Sequence, residues 1–269
     1  MAKKKCTVVL LTGGSSGIGA ATAAILAGKG IKVYAASRSG KAPDNGNIIP
    51  RVMDVNDAES ITATVDYIYK TEGHLDAVIC NAGNGIAGAV EDTSVEEARY
   101  QFETCFFGAV RTIDACLPIF RQQGFGKIVT VTSVAAFIPI PFQAYYSAVK
   151  AALLMLTKAL SLEVKPFGIQ CCSVQPGDTK TGFTSARKYT AKAYEGAYAA
   201  TMKRSVAKME KDEQNGMPPV KIAKAIYRQL KARKMRLNVT PRFDYRAIEI
   251  LSKLLPTRVI MWLVGKLYC

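Results

Sequence analysis

The stretch that decides the fold is Thr12-Gly13-Gly14-Ser15-Ser16-Gly17-Ile18-Gly19. It follows an apolar run at residues 7–11, which we predict to be a buried strand, and it opens an alanine-rich helical pattern at residues 17–30. Unpaired backbone N–H groups and the positive end of the helix dipole bind phosphate at such a helix start. Glycine is needed where the backbone approaches the phosphates or the helix packs close on the sheet. The sequence therefore predicts a diphosphate-binding turn, with a tight turn that holds no ligand as the alternative.

Outward from this turn, short apolar runs alternate with helical patterns. The predicted strands are residues 7–11, 31–36, 48–53, 76–80, 127–132 and 169–174, and the predicted helices are residues 17–30, 57–72, 94–122 and 144–165. Parallel strands need crossover helices, so this alternation predicts a single α/β domain with a doubly wound parallel sheet of about seven strands. Later segments are predicted to be a substrate lid at residues 179–216 (helical over 185–216), a basic helix at 220–234, a last strand at 236–239 and an amphipathic C-terminal tail at 243–269.

Composition excludes several classes of protein. The chain has 269 residues, of which 49% are hydrophobic, which is too apolar for a disordered chain. Seven cysteines without a CxxC pair and a single histidine argue against a disulfide framework and against a metal site. No stretch approaches the roughly 20 apolar residues of a membrane-spanning helix. We therefore expect a cytoplasmic protein that is at most peripheral to a membrane.

The net charge of +15 lies almost wholly in the last third of the chain. Residues 1–186 hold 17 basic and 15 acidic side chains, whereas residues 187–269 hold 19 and 6. No recognition helix or RNA-binding motif accompanies these charges, so we do not expect a nucleic-acid partner. The charges could instead face solvent or meet an acidic partner, such as a coenzyme A thioester, an acyl carrier protein or anionic lipid.

The end of the second strand bears on the choice of dinucleotide. A carboxylate there would bind the ribose hydroxyls of NAD and repel a 2′-phosphate. This sequence has Ser37 and Arg38 instead, and arginine binds phosphate through paired, charge-assisted hydrogen bonds. The sequence therefore favours NADP(H) as cofactor, with a solvated loop arginine as the alternative.

A serine, a tyrosine and a lysine form a candidate catalytic group. Tyr146 and Lys150 are four residues apart in a helical pattern and so share one face. A nearby ammonium favours the phenolate, so we expect Lys150 to lower the pKa of Tyr146 from roughly 10. Ser133 ends the strand before this helix, at the edge where open α/β sheets bind ligands, and its hydroxyl could orient a substrate carbonyl.

Taken together, these motifs resemble those of the short-chain dehydrogenase/reductase family over roughly residues 7–185, and within it an NADP-preferring, hydroxysteroid dehydrogenase-like member. Asn81-Ala82-Gly83 after the fourth strand, Pro176-Gly177 with Thr181 after the sixth, and Asp54 after the third also match. The resemblance implies a Rossmann-like fold, frequent homo-oligomers, and hydride transfer between nicotinamide and a carbonyl or alcohol. It makes Tyr146 the general acid/base, Ser133 the substrate-orienting residue, and Lys150 the residue that lowers the tyrosine pKa and holds the nicotinamide ribose. The residues expected to bind the cofactor are Gly13, Ser15, Ser16, Gly17, Ile18, Gly19, Ser37, Arg38, Asp54, Val55, Asn81, Ala82, Gly83, Tyr146, Lys150, Pro176, Gly177, Thr179 and Thr181.

One position departs from the family pattern. Cys105 stands three residues before Gly108, where the family commonly has an asparagine that holds a water of the proton relay. A thiol cannot replace the donors and the acceptor of an amide. This departure leaves two alternatives. Either the proton relay is slower or its water is held by other groups, or the protein is an NADPH-binding sensor or interaction protein without catalysis.

Apolar side chains flank the predicted active site. Residues 137–142 carry no charge, the predicted lid contributes Phe183, Tyr189, Tyr194 and Tyr198, and the tail is apolar with interspersed basic residues. These features favour a hydrophobic ketone or secondary alcohol, steroid-like or another lipid, with a 3-ketoacyl thioester as the alternative. The tail could cover the cleft, pack on a second subunit or touch a membrane surface.

Overall fold

The computed structural model describes residues 6–269, and a parallel sheet forms its centre. The strands are β1 (Val8–Thr12), β2 (Lys32–Ser37), β3 (Ile48–Val52), β4 (Ala77–Cys80), β5 (Ile86–Ala87), β6 (Gly126–Val131), β7 (Ile169–Val174), β8 (Lys188–Tyr189) and β9 (Asn238–Val239). Seven of them pair in parallel in the order β3-β2-β1-β4-β6-β7-β9. This confirms the predicted doubly wound sheet, and six of its strands begin and end within one residue of their predicted bounds.

Helices cover both faces of the sheet. They are α1 (Gly17–Ala27), α2 (Ala58–Glu72), α3 (Val95–Phe102), α4 (Gly108–Gln123), α5 (Ala144–Glu163), α6 (Ala199–Gln214), α7 (Pro219–Lys231), α8 (Phe243–Leu254) and α9 (Thr257–Tyr268). On one face, α1 and α7 bury side chains such as Leu26 and Ile222. On the other, α2, α4 and α5 bury Ile61, Ile113 and Leu153. Strands covered on both faces explain the unbroken apolar runs in the sequence.

The topology sets the position of the site. β2 pairs on one side of β1 and β4 on the other, so the chain reverses its winding direction at β1. The crevice outside the carboxyl ends of the strands at such a switch point is where open α/β sheets bind ligands. The glycine-rich turn follows β1 directly and therefore borders this crevice.

Two predicted helices differ from the structure. The segment predicted as one helix at residues 94–122 is α3, then a π-helical turn at Glu103–Phe107, then α4. The predicted helix at 185–216 is wrong before residue 199, because β8 pairs with β5 there. The Lys188 N–H donates to the Gly85 carbonyl at 2.9 Å, and the Thr190 N–H donates to the Ala87 carbonyl at 3.0 Å. These hydrogen bonds with a distant segment outweigh the local preference for a helix.

The tail forms two helices, α8 and α9, separated at Pro256. One side of each helix lies over the crevice, and the other side is exposed. Within residues 6–269, none of the helices combines the length and the apolar character that crossing a membrane requires.

Candidate functional site

A cavity of about 1270 Å³ lies at the carboxyl edge of the sheet, and its wall contains all of the predicted site residues except Gly19. The wall has two parts. One is built mainly from residues 13–83, and the other from segments that follow β6 in the chain. Predicted cofactor-binding residues line the first part, and the second brings together Ser133, Tyr146, the predicted lid and the tail helices.

The glycine-rich turn is a backbone cradle. Gly13 and Gly17 have φ of +67° and +53°, a region that side chains disfavour. A Cβ on Gly17 would lie 3.3 Å from Thr181, and one on Gly19 would lie 2.0 Å from the Gly13 carbonyl oxygen. Gly19 thus lies behind the turn, where its lack of a side chain lets α1 pack closely against the Gly13 carbonyl. Side chains would fill this cradle, so its bare backbone fits the diphosphate of a dinucleotide.

Asn81 fixes the cradle from the neighbouring strand. Its Nδ2 donates to the carbonyl oxygens of Thr12 and Gly13, both at 3.1 Å. The backbone N–H groups of Asn81 and Ala82 in turn donate to the Thr12 hydroxyl, both at 3.0 Å. The predicted supporting role of Asn81 therefore has a structural basis, since it joins the ends of β1 and β4.

Polar side chains surround the far end of the first wall. Ser37 and Arg38 line the cavity at the end of β2, where the chain has no carboxylate, and Arg38 is exposed. Asp54 and Val55 line it beyond β3, and the Asp54 carboxylate accepts a hydrogen bond from the Asn56 N–H at 3.0 Å. A phosphate would meet a cation at Arg38 and no fixed negative charge on β2.

The predicted catalytic side chains converge on the second wall. Ser133 follows β6 and accepts a hydrogen bond from the Ala135 N–H at 3.1 Å. Tyr146 is half-buried on the first turn of α5, and Ser133 lies close enough to influence the pKa of its phenol. Lys150 lies one turn further, buried, with its Nζ 5.6 Å from the centre of the Tyr146 ring. All three side chains border the same cavity.

The structure corrects the expected electrostatics of Tyr146. Burial raises the pKa of the Tyr146 phenol above its ordinary value, and Ser133 opposes this rise without cancelling it. Burial also lowers the pKa of Lys150, whose Nζ donates to the Val131 carbonyl at 2.9 Å. The net shift of the Tyr146 pKa is therefore upward, set by burial, and the effect expected from Lys150 does not reverse it. Tyr146 is a neutral phenol at neutral pH, the form that can donate a proton.

Cys105 belongs to a buried polar cluster. It lies in the π-helical turn, and its Sγ accepts hydrogen bonds from the Asn84 N–H at 3.3 Å and from Gln101 Nε2 at 3.1 Å. Gln101 Nε2 also donates to the Asn84 side-chain oxygen at 2.8 Å, and Gln101 Oε1 accepts from the Ile86 N–H. Asn84 lines the cavity directly after Gly83. Thus the Asn84 amide lines the cavity beside Gly83 although the family's asparagine is missing at Cys105, and sequence reasoning did not identify it.

The substrate side of the cavity is largely apolar. The Phe183 ring lies 5.6 Å from the Tyr146 ring between their centres. The tail helices supply further apolar side chains to this wall, namely Ile248, Leu251, Leu255, Ile260, Leu263, Val264 and Leu267. Of the open alternatives for the tail, covering the cleft is the one that the structure shows for this side of its helices.

Tyr245 fixes the tail to the loop after β7. Its hydroxyl donates to the Asp178 carboxylate and accepts a hydrogen bond from the Asp178 N–H at 3.3 Å. The Tyr245 ring fills the space where Gly177 has no side chain, since a Cβ there would lie 2.1 Å from the ring. Burial raises the pKa of Asp178, against the effect of the tyrosine hydrogen bond. Neither residue of this pair stood out in the sequence.

Comparisons with known proteins agree with this geometry. Residues 7–192 match the family model described as short chain dehydrogenase. The chain is 41% identical over 221 residues to the 3-ketodihydrosphingosine reductase of Bacteroides thetaiotaomicron, covering 81% of each chain. It is 32% identical over 192 residues to the human 17-beta-hydroxysteroid dehydrogenase type 1, covering 66% of this chain and 58% of the human protein.

Solved structures share the fold. A short-chain dehydrogenase from Streptomyces avermitilis superposes with a TM-score of 0.82 at 30% identity, covering 92% of this chain and 94% of that one. Solved structures with a similar fold include one from Burkholderia phymatum in complex with NAD and one, ElxO, with NADP bound. The chain therefore belongs to the short-chain dehydrogenase/reductase family and is an oxidoreductase acting on CH–OH and C=O groups.

Proposed function

We propose that this protein reduces a hydrophobic lipid ketone with NADPH. The observation that carries the proposal is a single cavity in which Ser133, Tyr146 and Lys150 lie between the glycine-rich cradle and an apolar wall. When bound, the reduced nicotinamide supplies a hydride to the carbonyl carbon. Tyr146 donates its phenolic proton to the carbonyl oxygen, which Ser133 holds by a hydrogen bond, so that an alcohol forms. Buried Lys150 helps to hold the cofactor and keeps a positive charge near the resulting phenolate.

Substitution of Tyr146 tests the reaction. We expect Tyr146→Phe to lower kcat for ketone reduction by roughly 100-fold or more, because general acid catalysis contributes about that much. The measurement is the loss of NADPH absorbance with steroid, long-chain and acyl-thioester ketones. Tyr145→Phe is the matched control, since Tyr145 is next in the chain and does not line the cavity. Unchanged turnover in Tyr146→Phe would contradict the proposed role.

Arg38 supports the choice of NADPH. A charge-assisted hydrogen bond to the 2′-phosphate is worth about 1.5–3 kcal/mol, or roughly 10- to 150-fold. We expect Arg38→Ala to reduce the ratio of kcat/KM for NADPH over NADH by that factor, mostly through the NADPH value. Arg233→Ala, an exposed arginine that does not line the cavity, is the control. A wild-type enzyme that prefers NADH would refute this part of the proposal.

The substrate class follows from the tail and from the relatives. The apolar side chains of α8 and α9 that face the cavity support a substrate with a long or wide hydrocarbon part. One relative is named for a 3-keto sphingoid base and another for a hydroxysteroid, both lipids. We place a long-chain 3-keto sphingoid base first, because the relative named for it is the more similar over more of the chain. Steroid ketones come second.

A 3-ketoacyl thioester is the enzyme alternative, and the basic last third of the chain favours it. Phosphate groups of coenzyme A or of an acyl carrier protein would bind such a surface. This alternative predicts reduction of acyl-thioester ketones that weakens strongly as salt rises, since exposed charges are screened beyond about 8–10 Å at ordinary ionic strength. Salt-independent reduction of a neutral lipid ketone, with no thioester activity, would decide against it.

We also propose that the outer side of the tail helices contacts an anionic membrane surface in the cytoplasm. Phe243, Leu254 and Trp262 are 84%, 74% and 59% exposed, among basic side chains at Arg246, Lys253, Arg258 and Lys266. Binding to anionic but not zwitterionic vesicles, lost in Phe243→Ser/Trp262→Ser, would support this. Val52→Ser is the control. Val52 is comparably exposed, but it lies on β3, at the edge of the sheet opposite to β9.

A second copy of the chain is the other possible partner of this surface. Two copies of the same basic tail would repel each other, so we favour the anionic membrane surface. We propose a homo-oligomer through the long helices instead, as the family resemblance implies, where Met155 and Leu162 of α5 are exposed. Size-exclusion chromatography coupled to light scattering measures the oligomer, and the Phe243→Ser/Trp262→Ser variant should leave it unchanged.

A further inference from the structure

A buried ion pair joins the predicted lid to α6. The side chain of Arg187 is 0% exposed, and its guanidinium donates to the carboxylate of Glu213, whose side chain is 14% exposed. The other carboxylate oxygen of Glu213 accepts a hydrogen bond from the Thr184 hydroxyl at 2.7 Å. Ion pairs away from water are costly to form, and well-packed hydrophobic residues of similar volume are often at least as stable. Stability alone therefore does not account for this pair.

Phe183 connects this ion pair to the proposed proton donor. The Arg187 guanidinium lies 5.9 Å from the centre of the Phe183 ring. That ring in turn lies 5.6 Å from the Tyr146 ring between their centres, with an angle of 53° between the ring planes. A cation over an aromatic face and two tilted rings are both attractive contacts. A displacement of the ion pair is therefore passed on to the Tyr146 ring through a single intervening side chain.

The backbone around Phe183 is held mainly by short-range contacts. The Phe183 N–H donates to the Thr181 hydroxyl at 3.2 Å, and the Arg187 N–H donates to the Thr184 carbonyl at 3.3 Å. The Phe183 ring also rests on the backbone of Gly85, since a Cβ at Gly85 would lie 2.6 Å from the ring. The ion pair adds a connection from this turn to α6. Without that connection, the turn and its phenylalanine have more freedom to move away from Tyr146.

The two charges of the pair act on the Tyr146 phenol in opposite directions. Burial has the largest effect and raises the pKa of the phenol; Glu213 raises this pKa further, and Arg187 lowers it. Because the two opposite charges are in contact, their effects on the phenol largely offset each other. The polar and titratable side chains around the phenol, from the end of β6, the π-helical turn, α5, the predicted lid and α6, are Ser133, Cys105, Lys150, Arg187 and Glu213.

We propose that the ion pair of Arg187 and Glu213 is a positioning element of the active site, which holds Phe183 on the Tyr146 ring and presents balanced charges to the phenol. Glu213 lines the cavity from α6, whereas Arg187 does not line it and acts through Phe183. A neutral phenol is the form that donates the proton, and an unpaired positive charge beside it would favour the phenolate. The pair thus lets the predicted lid carry a guanidinium close to Tyr146 without weakening the proton donor. This inference rests on the proposed ketone reduction.

The pH profile of kcat for ketone reduction tests the charges. Glu213→Gln leaves the Arg187 charge unpaired, so the loss of activity at high pH should move to lower pH by about one unit. Arg187→Gln leaves the carboxylate unpaired and should move this loss to higher pH. The double variant Arg187→Met/Glu213→Leu removes both charges and keeps apolar packing, so its profile should return to that of the wild type. Shifts in the same direction in both single variants would overturn the inference, because a disturbance of packing alone acts alike in both.

Hydrogen exchange of the unliganded protein gives a readout that needs no turnover. Both single variants should accelerate exchange of the backbone amides at residues 183–188 by roughly 10-fold or more, because each leaves a buried charge unpaired. The double variant should stay close to the wild type, and so should the control Glu195→Gln, an exposed carboxylate in the same segment. Wild-type exchange in the single variants would overturn the inference, since Phe183 would then be held without the ion pair.

The conservative variant Glu213→Asp separates position from charge. It keeps the carboxylate but shortens its reach, so we expect faster exchange at residues 183–188 with the pH profile of the wild type. It also disturbs folding less than a neutral residue, so it serves where a single variant does not fold. A wild type that reduces no ketone would refute the proposed function, whereas the exchange rates would still decide whether the ion pair holds Phe183.

Discussion

Replacing Gly177 with alanine tests how the tail is fixed over the cavity. The added Cβ would lie 2.1 Å from a carbon of the Tyr245 ring, whereas ordinary contacts begin at 3.4 Å, so the ring must retreat by at least 1.3 Å. A displacement of that size breaks the hydrogen bond from the Tyr245 hydroxyl to the Asp178 carboxylate. Hydrogen bonds to charged groups contribute about 1.5–3 kcal/mol. The start of α8 should lose about that much stability against local opening.

Hydrogen exchange of the backbone amides measures this loss. We expect the amides of α8 to exchange roughly 10- to 150-fold faster in Gly177→Ala, with those of β1 and β4 unchanged. Tyr245→Phe keeps the ring and removes only the hydroxyl, so it should reproduce the part of the effect that comes from the hydrogen bond.

Gly265→Ala is the matched control, because a Cβ there meets nothing within 4 Å inside α9. Alanine stabilises a helix interior by about 0.5–1 kcal/mol relative to glycine, so exchange should slow or stay the same. Wild-type exchange rates of α8 in Gly177→Ala would refute the reasoning, since the tail would then be held by other contacts.

Two further predictions concern stability. Glu72 accepts hydrogen bonds from Lys32 Nζ at 2.8 Å and from the Tyr34 hydroxyl; burial raises the pKa of its carboxyl, but these hydrogen bonds outweigh burial and lower it overall. Since the folded-state pKa is the lower one, the stabilisation is present above pH 4.5 or so and is lost as the pH falls through the folded-state pKa. Glu72→Gln should therefore cost about 1–2 kcal/mol in urea unfolding at pH 7 and progressively less as the pH falls through the folded-state pKa, and a cost that does not change with pH would rule out the charge as the cause. The exposed Glu96→Gln is its control. Buried Lys127 donates to the carbonyls of Leu230 and Ala232 at 2.5 and 2.7 Å, at the end of α7. Lys127→Met should lower the free energy of unfolding by about 1–3 kcal/mol, whereas the exposed Lys234→Met should change it little; a neutral Lys127→Met would mean that water replaces the ammonium.

The sequence predicted the sheet well because its strands are buried on both faces. Runs such as Val8–Leu11 are apolar without alternation, and each lies between a turn and a helical pattern, so the bounds were nearly correct. The long helix at residues 94–122 concealed its π-helical turn, since one extra residue in a turn barely changes the spacing of apolar side chains. The strand at residues 188–189 had no local signal at all. It exists because the carbonyl groups of Gly85 and Ala87, a hundred positions earlier, accept hydrogen bonds from it.

In the candidate site, too, the residues with a local sequence pattern were predicted, and those brought together by long-range packing were not. Its motif residues were identified from short spacings, such as the i, i+4 spacing of Tyr146 and Lys150. Asn84 and Gln101 meet only through the packing of α3 against the loop after β4, which no local pattern reports. The direction of the pKa shift of Tyr146 could not be predicted from the sequence, since it depends on how much water the folded wall of the cavity excludes.

The two-part wall of the cavity affects how the substrate specificity of such an enzyme can evolve. Most of the residues proposed to bind the dinucleotide lie within residues 13–83, the last of them being Thr181, and most of the apolar side is made by residues that come later in the chain. Mutations in the later segments can reshape the space for one reactant while the contacts of the other stay intact. A chimera that keeps residues 1–181 and takes the remainder from a relative should then exchange substrate preference and keep the dinucleotide preference, because it retains all the residues proposed to bind the dinucleotide. Because the two parts of the wall come mostly from different parts of the sequence, the scaffold is modular, and new substrates can be acquired by altering its last third.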